Sequence, residues 1–482
     1  MKKTSSFLFA RDQERKTLEK LLCSKKSEFI ALYGRRRVGK TYFLRHSLKE
    51  YQPFDIFGQK DASKQEQLSN FILSFQKYFG KSDSLAIPKS WNEAFELLTK
   101  EVRQSKKIFV FWLDELPWLC GRKSGCYQAL DYFWNKEWSH LPNFKLIVCG
   151  SSAAWMIDHI INAKGGLHNR LTFSMQLKPF SLSQTAEYLL ARKFRYTIEQ
   201  VIRLQLCFGG IPYYLSLLDP SLSDSQNIDQ LCYRNDSPLF YEFEKVFESL
   251  FDHHQDHEKI VQALAQTRQG MTVKQLLEKT GLSSGGTFNK RLMELEKSNF
   301  VLVRTPVGRK KKESVFFLSD EYSLFYLTWV RPIKKAQSQL KKNQYWSHQI
   351  QKPEWFAWAG YSFETLVFKN FDWVQDQLQI QGLVRNFGPL KMKGAQLDLL
   401  LERTDNVVQI LEIKYYQKMF EVTKEYSFQL KNKIQAVHEH YKGKKQVLLT
   451  IITLNGWKQN AWSYGLVDSH VALKDLFIRK IK

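Results

Sequence analysis

Short apolar runs alternate with helical patterns over residues 1–150. Apolar runs of strand length occupy Glu28–Tyr33, 108–113 and 145–149. The segments between them place apolar residues at helical spacing, at about 11–23, 40–49, 64–80, 91–104 and 126–137. An alternation of this kind is typical of a parallel sheet covered by helices. The first part of the chain is therefore predicted to be an α/β domain.

The middle of the chain has two different rhythms. Residues 181–251 place apolar residues at helical spacing with Gly and Pro breaks, which predicts a small helical lid. Residues 258–320 predict three helices and then two strand-like runs, at 258–266, 272–280, 284–298, 301–305 and 314–318. Three helices followed by a hairpin are the outline of a winged helix-turn-helix.

The last part of the chain predicts a second α/β domain. A Lys/Gln/Ser-rich connector covers about residues 335–352. Beyond it the pattern predicts a helix at 363–371, strands at 396–401, Val407–Lys414 and Gln446–Thr453, and a helix at 426–441. The predicted sheet domain, lid, winged helix and C-terminal domain cover residues 1–180, 181–255, 256–335 and 353–482.

The charge of the chain points to a partner. Lys and Arg number 72 against 48 Asp and Glu, which gives a net charge of +24. An excess this large is typical of proteins that contact a polyanion, and nucleic acid leads the candidates. The 482 residues are too many for one core, and their 43% hydrophobic content excludes a mainly disordered chain.

Cysteine usage and the length of the apolar runs indicate a compartment. The six cysteines contain no C-x-x-C pair, so neither a disulfide framework nor a zinc ribbon is indicated. The longest strongly apolar runs, 108–113 and 447–454, fall far short of the ~20 residues that span a bilayer. We therefore expect a cytoplasmic protein in a reducing environment, with no membrane partner.

A glycine-rich loop follows the first predicted strand. Residues 34–41 match G-x-x-x-x-G-K-[ST] between an apolar strand and a helical pattern. In such a loop backbone N–H groups wrap phosphates, Lys40 reaches the β and γ oxygens, and the Thr41 hydroxyl is a ligand of Mg²⁺. The alternative is a glycine-rich turn that caps a helix. The motif predicts an exposed loop that binds ATP and Mg²⁺ through Gly34, Arg35, Arg36, Arg37, Val38, Gly39, Lys40, Thr41 and Tyr42.

Two adjacent carboxylates end the next strand of the predicted sheet. A buried strand that runs into Asp114 and Glu115 is costly unless the carboxylates serve a cation or a water. Together with the loop, the pair predicts that Asp114 holds Mg²⁺ and that catalytic Glu115 polarises the attacking water. The pair alone is equally typical of a helix N-cap. Ser151, after a third strand, is placed to sense the γ-phosphate or to form a polar turn.

These motifs resemble those of the archaeal-type ATPases in the STAND branch of AAA+-like P-loop proteins. The resemblance implies that Pro212, in a Gly-x-Pro element, packs near the adenine base. It also implies that Arg170 faces phosphate or an interface, and it leaves a homo-oligomer open. The segments that carry the resemblance are F-x-R-x-x-E at 9–14, Y-G-R-R-R-V-G-K-T at 33–41, L-D-E at 113–115, C-G-S-S at 149–152 and G-G-I-P-Y at 209–213.

Basic residues occupy both parts of the predicted winged helix. In its third helix, Thr287, Lys290 and Arg291 lie outside the apolar face, and the hairpin tip carries R-K-K-K at 309–312. A basic helix face beside a basic wing is what phosphate contact requires, so DNA is the predicted partner. The alternative is that the winged helix serves as a lid or an oligomer contact.

A second carboxylate pair lies in the C-terminal domain. Glu412 and Lys414 share one face of a predicted strand because side chains alternate along it. If the preceding strand pairs with it, Asp398 lies beside Glu412. Two carboxylates for Mg²⁺ and a lysine that orients water or stabilises the phosphate form the hydrolytic core of a PD-(D/E)xK nuclease. The E-x-K spacing alone is weak, and the hairpin context gives it weight.

The C-terminal domain is similar to a nuclease-like domain often found behind these ATPases. The similarity rests on W-x-G-x-x-F-E at 358–364 and on the helix at 426–433. It implies that Glu364 is a carboxylate near the metal and that Gln429 and Lys433 are auxiliary polar residues. Leu397 stands where the family usually has Pro, a variation that leaves the carboxylates intact.

The whole pattern predicts an α/β protein in four parts. These are a P-loop NTPase parallel sheet, a helical lid, a winged helix-turn-helix and a restriction-endonuclease-like α/β domain. The expected function is ATP hydrolysis coupled to DNA binding, with Mg²⁺-dependent DNA cleavage at Asp398, Glu412 and Lys414. The alternative is a nucleotide-switched DNA-binding regulator or scaffold whose nuclease-like domain is inactive.

Overall fold

A computed structural model of the chain divides into two compact units, Met1–Pro179 with Ser249–Asp252, and Phe180–Glu248 with His253–Lys482. Among the described residues, no helix is long and apolar enough to cross a membrane. The structure describes residues 10–81, 85–121, 123–163, 166–234, 236–251, 253–267, 269–305, 313–336, 345–392 and 394–478.

The first unit is built on a parallel sheet of five strands in the order β2-β3-β4-β1-β5. Every residue of β3 and β4 is buried, which requires cover on both faces of the sheet. The predicted covered parallel sheet is therefore confirmed. Its strands are β1 (Glu28–Tyr33), β2 (Phe54–Phe57), β3 (Phe109–Asp114), β4 (Phe144–Gly150) and β5 (Phe173–Gln176).

Alternation along the strands divides the apolar residues between two layers. Phe29 and Phe111 belong to one buried cluster, whereas their chain neighbours Ile30 and Val110 belong to another. Helices cover both layers. The helices predicted for this region are present within a few residues of their expected bounds. They are α1 (Asp12–Leu22), α2 (Lys40–Ser47), α3 (Lys64–Phe79), α4 (Trp91–Arg103), α5 (Leu116–Leu119), α6 (Cys126–Lys136) and α7 (Ala153–Met156).

The second unit begins with short helices that start at polar caps. Ser181, Thr197 and Ser223 each accept a backbone N–H with the side chain and form a capping box with a Gln three residues later. These caps fix the helix starts in the predicted lid segment. The helices are α8 (Leu182–Ala191), α9 (Ile198–Phe208), α10 (Pro212–Ser216), α11 (Asp224–Cys232) and α12 (Glu242–Leu250).

Three further helices lead into a two-stranded antiparallel sheet. They are α13 (His254–Ala265), α14 (Val273–Thr280) and α15 (Gly286–Lys297), and the strands are β6 (Val301–Arg304) and β7 (Val315–Leu318). A single antiparallel bridge joins Met271 to Phe316. The helices and strands predicted here are present, and the basic tip at 309–312 lies outside the described residues.

Helices then connect this region to the C-terminal sheet. The predicted helix at 363–371 is wrong in its bounds, because α19 begins at Pro353 and ends at Lys369. A separate helix follows Asn370, where the chain leaves helical geometry. The helices are α16 (Glu321–Phe325), α17 (Arg331–Ala336), α18 (Tyr345–Gln349), α19 (Pro353–Lys369) and α20 (Phe371–Leu378).

The C-terminal sheet has five strands in the order β14-β12-β10-β9-β8. Its strand β10 pairs parallel with β12 and antiparallel with β9. The strands are β8 (Val384–Met392), β9 (Ala395–Arg403), β10 (Val407–Lys414), β12 (Gln446–Thr453) and β14 (Ser469–Ala472), with a small pair β11 (Phe420–Glu421) and β13 (Trp457–Lys458) beside them. Helix α21 (Lys424–His440) packs on this sheet, and α22 (Asp475–Ile478) follows it.

Candidate functional site

The glycine-rich loop joins the buried strand β1 to helix α2. At Gly34, φ is +154° and an added Cβ would lie 2.2 Å from the carbonyl oxygen of Leu177. Only glycine fits this close approach. Gly39, at the N-cap of α2, has φ of +86° in the left-handed region. The two glycines of the motif therefore shape the turn that aims the N-terminus of α2.

Lys40 is the first residue of α2 and is buried. Its ammonium donates to the carbonyl oxygens of Gly34 at 2.9 Å and Arg35 at 3.1 Å, and to Ser151 Oγ at 2.9 Å. The expectation that Lys40 lies on an exposed loop is wrong, because these bonds fold its side chain under the loop. These hydrogen-bond partners are neutral oxygens, which a phosphate oxygen can replace.

The carboxylates at the end of β3 are each held by a hydroxyl. Asp114 Oδ2 accepts from Thr41 Oγ1 at 2.8 Å. Glu115 accepts from the backbone N of Ser151 at 2.9 Å and from the Ser151 hydroxyl. Burial raises the pKa of Asp114, and the hydrogen bond from Thr41 opposes that rise. The structure thus brings Lys40, Thr41, Asp114, Glu115 and Ser151 together.

Sheet order explains how Ser151 reaches both sides of this site. Strand β4 lies between β1 and β3 in the sheet. Because the carboxyl ends of parallel strands meet at one edge, Ser151, next after β4, lies between the loop after β1 and the carboxylates after β3. Its hydroxyl bonds to both Lys40 and Glu115. Ser151 therefore links the cation of the loop to the second carboxylate.

The remaining predicted loop residues differ in their surroundings. The side chains of Arg35 and Val38 are buried, and Val38 packs in the cluster that includes Ile30. Tyr42 is exposed, and its ring lies 4.0 Å from the His46 ring. A role for Val38 in nucleotide binding would therefore use its backbone, since its side chain serves the core.

Two other predicted residues lie away from the loop in the chain. Arg170 has an exposed side chain in the first unit. Pro212 is the first residue of α10 in the second unit. The roles suggested for both by family resemblance stay predictions.

Oxygen donors at this site fit Mg²⁺. The Thr41 hydroxyl and the Asp114 carboxylate lie 2.8 Å apart, and hard oxygen ligands are those that Mg²⁺ takes. Within the described ranges, no group of three or more His, Cys, Asp and Glu is arranged to hold a metal ion. Mg²⁺ usually keeps several waters and binds one or two carboxylates plus phosphate, so a site of this size suits it.

A second site lies in the C-terminal sheet. Strands β9 and β10 pair with Leu399 opposite Leu411, which puts Asp398 beside Glu412. The backbone N of Ile413 donates to Asp398 Oδ2 at 2.9 Å. A cavity of about 390 Å³ opens there, lined by Gly394, Ala395, Gln396, Asp398, Glu412, Lys414, Tyr426, Gln429, Asn432 and Lys433. The structure therefore brings together the predicted carboxylates, Lys414, Gln429 and Lys433.

Glu412 is buried and accepts from three side chains. Lys414 Nζ lies 2.8 Å from Oε1, and Lys433 Nζ lies 2.9 Å from Oε1 and 2.7 Å from Oε2. The Tyr426 hydroxyl donates to Oε1 at 2.5 Å. Burial opposes ionisation, but Lys414 and Lys433 outweigh it and lower the pKa of Glu412. Both oxygens of the Glu412 carboxylate therefore accept hydrogen bonds, and the two lysines favour its charged form.

The other charged groups of this site respond to the same neighbours. Burial and the charge of Glu412 raise the pKa of Asp398. Burial opposes the charge of Lys414, yet Glu412 and Asp398 outweigh it and raise the Lys414 pKa, with Glu364 on α19 adding to the rise. Oxygen donors from Asp398 and Glu412 fit Mg²⁺ in kind. The predicted role of Glu364 as a metal ligand stays a prediction.

The sequence analysis assigned no role to Tyr426. Its ring lies on α21, where Tyr426, Gln429 and Lys433 follow each other at i, i+3 and i+7 along one helix face. The spacing could have identified Tyr426 from the sequence, because Gln429 and Lys433 on the same helix face were already predicted to be auxiliary polar residues of the site. The hydrogen bond to Glu412 depends on how α21 packs on the C-terminal sheet and has no local signal in the sequence.

One expectation about the third helix of the predicted winged helix is wrong. Phe288, Leu292 and Leu295 of α15 are buried as the pattern predicts. Arg291, however, does not lie outside, because its guanidinium pairs with Asp256 at 2.7 Å and its side chain is 17% exposed. Lys290 remains outside, with 70% of its side chain exposed. The basic surface of α15 is therefore smaller than expected.

The first part of the chain matches a known family. Residues 8–218 match the sequence model of a family described as an ATPase domain predominantly from Archaea. This match includes the glycine-rich loop, both carboxylates and Ser151. Residues 8–218 are thus similar to an archaeal-type ATPase domain, and the protein is an ATPase.

Other known proteins are similar over longer stretches. An uncharacterized protein of Methanocaldococcus jannaschii is 24% identical over 414 residues, which cover 84% of this chain and 87% of that protein. The Walker-type ATPase of Pyrococcus abyssi superposes with a TM-score of 0.48 at 19% identity, covering 66% of this chain and 96% of that chain. The ORC2 protein of Aeropyrum pernix, solved as ADPNP and ADP complexes, superposes with a TM-score of 0.42 at 12% identity. That superposition covers 68% of this chain and 95% of the ORC2 chain.

Proposed function

We propose that this ATPase couples ATP hydrolysis to DNA binding and that its C-terminal cavity cleaves DNA with the help of Mg²⁺. The observation that carries the proposal is the meeting of Asp398, Glu412 and Lys414 in one cavity of a protein that is also an ATPase. A net charge of +24 supports a polyanionic partner.

In the ATPase part, each side chain has a distinct task. Lys40 exchanges its carbonyl partners for phosphate oxygens, and Thr41 and Asp114 would hold Mg²⁺. Glu115 polarises the attacking water, because it is the carboxylate next to the proposed metal ligand. Ser151 bonds to both Lys40 and Glu115, so a phosphate that draws Lys40 away also changes the hydrogen bonding of Glu115. This linkage supports its predicted role as a γ-phosphate sensor.

The proposed DNA contact is a winged helix formed by α13, α14, α15 and the β6–β7 hairpin. The bridge between Met271 and Phe316 ties the start of α14 to the hairpin, which supports this assignment. Lys290 is exposed on α15, and the sequence places four basic residues at the hairpin tip at 309–312. Each phosphate contacted by such residues adds salt-dependent affinity.

In the C-terminal cavity, Asp398 and Glu412 would hold Mg²⁺, which supplies polarisation of a phosphoryl oxygen when bound. Lys414 Nζ lies 3.9 Å from Asp398 Oδ2 and 2.8 Å from Glu412 Oε1. From this position the ammonium can orient water or stabilise negative charge. Lys433 and Tyr426 hold the Glu412 carboxylate in place. Gln429 adds a neutral polar group to the wall of the cavity.

One observation favours a second candidate function. Glu412 is already bonded to two lysines and a tyrosine, so the carboxylate has no need of a metal ion in this arrangement. The second candidate is a nucleotide-switched DNA-binding regulator or scaffold whose cavity binds a phosphate without cutting. Both candidates use the same ATPase site and the same DNA contact.

A plasmid-nicking experiment distinguishes the two candidates. Supercoiled DNA is incubated with the purified full chain in Mg²⁺ or Mn²⁺, with and without ATP, beside Asp398→Asn as the matched control. We expect nicking by the parent that requires the metal and is lost in the variant. Absence of nicking in every combination of metal and nucleotide would favour the regulator, and equal nicking by both proteins would indicate a contaminating nuclease.

A further inference from the structure

The outer face of α21 carries exposed aromatic and basic side chains beside the C-terminal cavity. Lys424, Phe428 and Lys431 follow each other at i, i+4 and i+7, so they share one face of the helix. Phe428 is 54% exposed. Asn432, next to this face at the fourth position after Phe428, lines the cavity. The outer face and the cavity wall are therefore neighbours on one helix.

A tryptophan from another segment joins this face. Lys424 Nζ lies 5.6 Å from the centre of the Trp462 ring, and Lys431 Nζ lies 5.8 Å from the centre of the Phe428 ring. Trp462 is 45% exposed. We call Lys424, Phe428, Lys431 and Trp462 the basic-aromatic face. Each of its two rings thus has a lysine beside it.

Trp462 is presented by an anchored turn. Its backbone N donates to Asn460 Oδ1 at 3.0 Å, and Asn460 Nδ2 donates to the carbonyl oxygen of Val422 at 2.9 Å. Val422 and Ser463 are buried. The turn is therefore fixed to the segment immediately before α21, while its indole ring stays partly exposed. Exposed aromatic surface on a fixed support is typical of a binding surface.

We propose that the basic-aromatic face binds an unpaired strand of DNA and leads it to the C-terminal cavity. Bases would stack on Phe428 and Trp462, while Lys424 and Lys431 would contact phosphates. Glu425, in the first turn of α21, is an acidic neighbour. Because the face has two lysines, its charge stays positive when Glu425 is counted. The inference rests on the proposed function and deepens it, because it names single-stranded DNA as the substrate.

The chemistry of the face favours an unpaired strand over a duplex. In a duplex the flat faces of the bases are stacked on each other, so exposed protein rings can reach only the backbone and groove edges. Unpaired bases offer their flat faces, and loss of one stacking partner typically weakens binding by about 5-fold to 150-fold. A face with two rings and two lysines therefore discriminates through its rings, whereas its lysines serve either form.

Binding of two DNA forms tests this inference. The full chain and the double variant Phe428→Leu, Trp462→Leu are titrated with an oligothymidylate of about 16 nucleotides and with a duplex of equal length, in EDTA. We expect the double variant to lose at least about 5-fold in affinity for the single strand per ring removed, and to change little on the duplex. Trp462→Tyr keeps a ring and should retain most of the affinity. Tyr132→Leu removes a ring that is 55% exposed in the first unit. This control should change the affinity for neither the single strand nor the duplex.

The outcomes separate this inference from the proposed nuclease. Equal losses on both DNA forms, unchanged single-strand binding, or a parent that binds only duplex would overturn the inference. Selective loss on the single strand, together with no cleavage by the parent, would support the inference and remove the nuclease. Metal-dependent cleavage by a double variant with unchanged single-strand binding would leave the nuclease and remove the inference.

Discussion

The two carboxylate sites differ in what their lysines contact. Lys40, in the ATPase unit, bonds to two carbonyl oxygens and a serine hydroxyl, while Asp114 and Glu115 are held by hydroxyl and backbone donors. In the C-terminal cavity, Lys414 and Lys433 bond directly to the carboxylate of Glu412. The first site keeps its cation on neutral partners, and the second pairs its cations with an anion.

The difference predicts how readily each site accepts a ligand. A phosphate that binds Lys40 replaces neutral oxygens, so the ammonium exchanges neutral acceptors for an anionic one. A phosphate or metal that enters the second site must first separate buried ion pairs, and separation of such a pair leaves uncompensated charge. We therefore expect the first site to bind nucleotide without DNA. The second site is expected to open its ion pairs only when metal and DNA bind together.

Loss of a carboxylate in the second site should have the largest effect. Asp398→Asn should lower metal-dependent cleavage by more than about 100-fold, because a metal ligand is lost. Its DNA affinity should be kept or raised, since one negative charge near the phosphate disappears. Lys414→Ala should also stop cleavage but bind DNA slightly less well. Cleavage rates and DNA-binding isotherms on both variants check these expectations. A lower DNA affinity in both variants, or a higher one in both, would contradict the roles given to Asp398 and Lys414.

Lys40→Ala should weaken ATP binding by roughly 10-fold to 150-fold, because a charge-assisted hydrogen bond to phosphate is lost. The variant also leaves buried carbonyl oxygens without their donor, so some loss of stability is expected. Thermal unfolding by circular dichroism controls for this loss, and calorimetric titration measures the affinity. Undiminished ATP affinity in a folded variant would contradict the role of the loop.

Replacement of Arg309, Lys310, Lys311 and Lys312 by alanine should flatten the salt dependence of DNA binding. Each phosphate contact removed should reduce the slope of log affinity against log salt by about 0.9. The two carboxylate sites themselves should be unaffected, so ATP turnover measured without DNA serves as the control. Binding measured at several salt concentrations checks the slope, and an unchanged slope would make the wing a protein contact.

The smallest expected effect concerns pH and the C-terminal sheet. His470 on β14 accepts or donates a hydrogen bond with Thr453 and stacks near Trp457. Burial, with the charge of Lys474, lowers its pKa from 6.5 to about 4. A lowered histidine pKa stabilises the fold above pH 6.5, and this contribution is lost as the pH falls from 6.5 towards 4.

His470→Gln should therefore reduce the loss of stability of the C-terminal sheet between pH 6.5 and about 4. Denaturant unfolding, followed by the fluorescence of tryptophans in that region, measures the difference between variant and parent at each pH. His348→Gln, on α18, serves as the matched control. An identical pH dependence in His470→Gln and the parent would show that His470 does not carry the effect.

Much of the fold follows from local signals in the sequence. The strands β1, β3, β4, β10 and β12 are long apolar runs, and such runs predict buried strands. Strand β8 was missed because it contains Gly388 and Pro389, residues that weaken a strand prediction, and its register shifts twice against β9. It lies at the edge of its sheet, where such residues are tolerated. Strand β2, with four residues, was missed because it is too short to show a pattern.

The chemistry of the sites was predictable where a motif carried it. The glycine-rich loop and the two carboxylate pairs have spacings that follow from strand and helix geometry. The buried position of Lys40 and the bond between Tyr426 and Glu412 depend on packing between distant segments. Arg291 shows the same limit, because its pairing with Asp256 joins two helices that the sequence alone does not bring together.

The central claim is that the two carboxylate sites carry separate chemical steps, and ATP hydrolysis measured without DNA on two variants tests it most directly. Glu115→Gln should keep ATP bound but lower turnover by about 10²-fold to 10⁴-fold, because the amide cannot polarise water. Asp398→Asn, measured in parallel, should hydrolyse ATP at the rate of the parent. Turnover by Glu115→Gln at the parent rate, or loss of turnover in Asp398→Asn, would contradict the account.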